Sequence, residues 1–182
     1  MPLDEKMGIT IHYRFMAKSR DAVAKLLAEV KAIAEKLDMK VLEYRDMELV
    51  LHPHPDCESV NLEFRQWKEV KAMKEWDYCK EVMQDYEKVL DDEDFVCGSF
   101  TKTQYAGYRT HVLVAELLRK VAGSCTLAYV SDEADYYETK DAEKTRQEFD
   151  ESSEAISKIA IALKEAFGKD KVYASIDNVE GA

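Results

Sequence analysis

The chain has 182 residues, 46% of them hydrophobic and 35% charged, with 26 Lys+Arg against 37 Asp+Glu and a net charge of -11. That mixture can bury a core without disulfide or metal staples, which excludes a disordered tail. The acid excess repels phosphate backbones and anionic lipid head groups over about a Debye length, so neither nucleic acid nor a membrane surface is an expected partner. Along the sequence the basic residues sit among acids, as in Lys68-Glu69-Val70-Lys71, and no basic cluster is interleaved with aromatics.

Cys57, Cys79, Cys97 and Cys125 form no CxxC pair and read as reduced thiols. Met1 to Lys6 is polar, and no stretch approaches the ~20 apolar residues of a bilayer span, so a cytoplasmic location is expected.

From Gly8 to Phe15 apolar and polar residues alternate, the period of a half-buried strand. Ser19 then offers an N-cap to a helix whose Val23, Leu26, Leu27, Val30, Ile33, Ala34 and Leu37 make one stripe. Lys40 to Leu51 reads as an extended ribbon bent at Arg45-Asp46, ended by Pro53 and Pro55. Val60, Leu62 and Phe64 alternate as a further strand. Trp67 to Leu90 carries the stripe of a long amphipathic helix, and the acidic run Asp91 to Asp94 marks an exposed connection.

Phe95 to Gln104 returns to strand composition, broken by Gly107. Thr110 is placed to cap a central helix through Val121, with Gly123 as its C′ glycine. A short strand at Leu127 to Val130, a helix from Thr139 to Phe167 with a break at Ser152-Ser153, and a strand at Lys171 to Asp177 complete the pattern. The fold class expected is α+β: a mixed β-sheet packed mainly on one face by amphipathic helices. A strand-helix-strand echo suggests two β-α-β halves, 8–94 and 95–178, within one domain that has flexible termini at 1–7 and 178–182.

Three segments could carry chemistry. In His52-Pro53-His54-Pro55-Asp56-Cys57-Glu58 each proline holds the preceding histidine extended, so two imidazoles can project to one side. His52 and His54, with His12 as a third imidazole, make a candidate site for a divalent metal such as zinc. The second segment, Phe100 to Gly107, precedes His111, which is expected in the first turn of the central helix. There the helix dipole would keep it neutral, as a general base must be. His111, Lys102 and Glu58 are the candidate catalytic groups, and Thr103, Gln104 and Arg14 candidate binders of an anionic ligand. The third segment, Ser131 to Glu138, holds four carboxylates without the EF-hand pattern and reads as a helix cap.

The function expected is binding of a small anionic molecule or a divalent metal, with hydrolysis as the chemistry such groups could support. The alternative is a non-catalytic interaction module that uses its long helices and acidic surface to form a homo-oligomer or to engage a basic partner.

Overall fold

A computed structural model of the chain describes residues 9–73 and 88–167, with residues 155 and 159–167 described by their backbone alone. The architecture is α+β. Among the described residues, seven strands form two antiparallel sheets. One has four strands, in the order β5 (Arg65–Gln66), β6 (Phe95–Lys102), β1 (Thr10–Ala17), β7 (Leu127–Asp132). The other has three, in the order β2 (Lys40–Arg45), β3 (Glu48–His52), β4 (Val60–Glu63). Helices α1 (Arg20–Lys36), α2 (Trp67–Ala72), α3 (Gly107–Ser124), α4 (Tyr136–Thr139) and α5 (Ala142–Phe167) complete it. The expected strand near 171–177 lies outside the described residues; the helix expected over 66–90 is corrected where it is described, since α2 ends at Ala72 with Met73 extended, and residues 74–87 lie outside the described ones.

Alternation in β1 sends Ile11, Tyr13 and Phe15 to the interior and His12 and Arg14 outward. The interior side meets α1 through Val23, Leu27 and Val30, and α3 through Val114, Leu118 and Val121, in one apolar cluster that also takes Leu49, Leu51, Val60 and Leu62 from the smaller sheet. The long helices α1 and α3 therefore lie on one side, while Trp67 at the start of α2 packs with Met16 and Val96 on the other. The Ser19 hydroxyl accepts from the Ala22 amide at 3.2 Å, as its capping role requires. Because β1 lies between β6 and β7, the early and late segments share one sheet.

The two sheets meet where β4 runs beside β6, and side chains fill the seam. The Tyr13 hydroxyl accepts from the Asn61 amide at 3.0 Å, donates to the Asn61 carbonyl at 3.3 Å, and lies 3.3 Å from the Thr101 hydroxyl. Thr101 in turn donates to the Ser59 carbonyl at 3.2 Å. Burial pushes the Tyr13 phenol above its ordinary pKa, so it stays a neutral donor and acceptor.

Three further local expectations are corrected. The central helix starts at Gly107, before Thr110, because Gly107 at φ +79° turns the chain directly out of the 3-10 turn Gln104–Ala106. Gly123 stands inside that helix, which runs to Ser124. The last long helix is continuous through Ser152-Ser153, and a separate short helix, α4, precedes it.

Candidate functional site

The end of β6, the start of β1 and the end of β7 come together, with Thr10 opposite Lys102 and Ile11 opposite Asp132. Behind this sheet end lies a buried polar chain. His111 is fully enclosed; its Nε2 donates to the Asp132 carboxylate, 2.9 Å from Oδ1, and its Nδ1 lies 2.8 Å from the Thr103 hydroxyl. Asp132 also accepts from the Ala134 amide at 2.9 Å and the Tyr137 amide at 2.8 Å, so it caps the start of α4. Burial pushes the Asp132 carboxyl up, but the hydrogen bond and charge of His111, with those two amides, outweigh it and hold its pKa below the ordinary value. Phe149 of α5 meets the imidazole edge-on at 5.3 Å.

His111 thus sits in the second turn of α3, and the carboxylate, rather than the helix dipole, dominates its surroundings. Thr103, which donates to the Ile9 carbonyl at 3.4 Å, gives the chain two hydrogen-bonding patterns. With a neutral imidazole, Thr103 donates to Nδ1; with a charged one, Nδ1 donates to Thr103 and the hydroxyl turns fully to Ile9. Thr-His-Asp is also the order of nucleophile, base and orienting acid. A nucleophile must meet its substrate, however, and Thr103 and His111 are both 0% exposed. In this conformation the three groups tie a strand end, a helix and a neighbouring strand together.

Around the rim, Glu58 and Lys102 are joined through backbone. The Glu58 carboxylate accepts from the Lys102 amide at 3.0 Å, and the Glu58 amide donates to the Lys102 carbonyl at 3.1 Å. The Lys102 ammonium itself lies 5.9 Å from the centre of the Tyr105 ring. Gln104 is buried and donates to Ser152 of α5 at 3.3 Å. Glu133 accepts from the Thr10 amide at 2.8 Å. Of the groups singled out from sequence, Glu58, Lys102, Thr103, Gln104 and His111 therefore share this end of the sheet.

The histidines proposed for a metal do not share it. His12 stands on the outer face of the sheet, 5.8 Å from Phe100 between ring centres. His54 accepts from the Asp56 amide at 3.1 Å, an Asx-like local turn. His52 ends β3, its Nδ1 buried and without a hydrogen-bond partner among the described residues. Among the described residues no three His, Cys, Asp or Glu side chains gather to hold a metal ion. Burial raises the thiols of Cys57 and Cys97 to about 12 and that of Cys125 to about 11, so they are protonated at neutral pH and poor nucleophiles.

The outer face of the four-stranded sheet has a different character. At one end Met16, Val96 and Trp67 close into a small apolar cluster. Beyond it the face is open and aromatic: Phe100 on β6 is 53% exposed, Tyr129 on β7 45%, and Tyr105 just past β6 49%. Each ring has a basic neighbour. His12 is paired across β1 and β6 with Phe100, the Arg14 guanidinium lies 5.6 Å from the Tyr129 ring centre on the paired strand, and Lys102 approaches Tyr105. Gly98, opposite Arg14, brings no side chain to the middle of this face. Among the described residues neither Arg14 nor Lys102 forms an ion pair.

Sequence reading singled out Arg14, Lys102 and His12 and carried Phe100 and Asp132 within its second and third segments, but did not single out Tyr129. Alternation placed His12 and Arg14 together; nothing local shows that β6 and β7 flank β1. Compared with known proteins, the chain matches no family model, no curated protein and no solved structure. No helix among the described residues is long and apolar enough to cross a membrane.

Proposed function

We propose that this chain is a binding protein that takes an anionic ligand on the outer face of its four-stranded sheet, the cations being Arg14 and Lys102. The observation that carries this reading is their placement. In a chain of net charge -11, two permanent cations stand on an open face beside aromatic rings, with no carboxylate partner among the described residues. Nearby Glu58 and Glu133 accept from backbone amides of Lys102 and Thr10, so part of their hydrogen-bonding capacity is already used. A bound anion would complete the cation-ring pairs at little cost, because the side chains are already held against the rings. The buried Thr103-His111-Asp132 chain fixes the strand end that presents Lys102.

Titration with inorganic pyrophosphate, followed by backbone amide resonances, tests the reading. The expected result is a saturable shift of amides at residues 12–14 and 98–102, lost in the Arg14→Gln/Lys102→Gln double variant. Shifts confined to the His52-to-Glu58 turn, or none, would contradict it.

A further inference from the structure

Resting on that reading, we infer that the ligand is a short segment of single-stranded nucleic acid, its bases stacked on Phe100 and Tyr129 and its phosphates held by Arg14 and Lys102.

Strand geometry separates the two rings. Phe100 and Tyr129 lie on the strands either side of β1, so two strand spacings of about 4.8 Å place them roughly 10 Å apart or more. One planar base cannot cover both, whereas successive bases of a single strand can each take one ring. Between them His12 continues the outer face across β1, and an imidazole plane can stack on a base as an aromatic ring does. The face is open, as a chain of bases needs, and Lys102 at its end sits where a backbone phosphate can follow the last stacked base.

An acidic polypeptide would satisfy Arg14 and Lys102 but leave both ring faces uncovered. A duplex hides its base faces and offers nothing to stack. The chain's net charge repels a long polyanion and confines productive contact to a few nucleotides, while over that short span the local cations decide. The expectation that basic and aromatic residues are not interleaved is true along the sequence; in the sheet they interleave across strands.

The test is fluorescence anisotropy with a labelled short oligouridylate, beside uridine monophosphate and polyglutamate as competitors. The oligomer is expected to bind more tightly than either competitor. Phe100→Ala and Tyr129→Ala should each weaken it by about fivefold or more. The logarithm of affinity should fall against that of salt with a slope of about -1.4, two phosphate contacts at about -0.7 each, and Arg14→Gln should remove about 0.7 of it. Circular dichroism melting of each variant separates loss of binding from loss of fold. The inference is overturned if polyglutamate competes as well as the oligomer, if the monophosphate binds as tightly, or if folded ring variants keep full affinity. Should pyrophosphate still shift the outer-face amides in that event, the anion site stands and only its nucleic-acid occupant falls; should it not, both fall.

Discussion

The two sides of the four-stranded sheet use the same kinds of side chain to opposite ends. Inside, an imidazole and a carboxylate are fully enclosed, and each polar atom of the Thr103-His111-Asp132 chain has a partner within the protein. Outside, an imidazole, a guanidinium and an ammonium lie against half-exposed rings, with the two permanent cations outside any ion pair among the described residues. Satisfied polar groups in a dry interior stabilise and specify a fold. Cations left beside open aromatic surface are available for a partner. The contrast separates residues that build the domain from residues left on its outer face, and each substitution below moves one side only.

The largest effect is expected inside. Asp132→Ala leaves His111 and two backbone amides without their acceptor, and breaking such a buried pair costs about 3–5 kcal/mol. Urea unfolding should show that loss in full. A change under 1 kcal/mol, or about the size of a surface substitution, would mean that the buried chain is not what fixes the sheet end.

Next comes the seam between the sheets. Tyr13→Phe keeps the ring and removes the hydroxyl that the Asn61 amide and the Thr101 hydroxyl meet, so the loss should be about 1–3 kcal/mol, the cost of stranding a buried donor. Thermal melting measures it, and an unchanged melting temperature would show that β4 and β6 hold together without this contact.

The pH dependence follows from the carboxylate. Asp132 has a folded pKa below its ordinary 3.8, so its stabilising contribution is complete above the unfolded value and disappears as pH falls through the folded one. Stability should therefore drop below about pH 4, and Asp132→Asn should flatten that limb of the curve. An unaltered acid limb in the variant would assign acid loss to other carboxylates.

Much of this fold was legible from period alone. The alternation of β1, the stripe of α1 and its Ser19 cap depend on neighbours in sequence, and the α+β class followed from them. What failed was local punctuation: Thr110 and Gly123 resemble helix boundaries, but packing of Val114, Leu118 and Val121 on the sheet extends α3 past both. The site was half legible. Lys102, Thr103, Gln104 and His111 cluster in sequence, and Glu58 reaches them only through the antiparallel approach of the segment before β4. Tyr129, and the pairing of Asp132 with His111, could not be read, because they depend on β7 lying beside β1, and strand order comes from long-range pairing that no local residue pattern encodes.

The smallest expected effect on stability lies on the outer face and carries the most information about function. Phe100→Ala, Tyr129→Ala and Arg14→Gln remove partly exposed groups from the outer face, and each should change stability by no more than about 0.5 kcal/mol. The most direct measurement is therefore made on one protein: the Arg14→Gln/Lys102→Gln variant, with its melting temperature and its pyrophosphate titration recorded side by side. Melting within a degree or two of the parent, together with loss of the amide shifts at residues 12–14 and 98–102, is the predicted result. Retained shifts in a fully folded variant would contradict the assignment of that face as the binding surface.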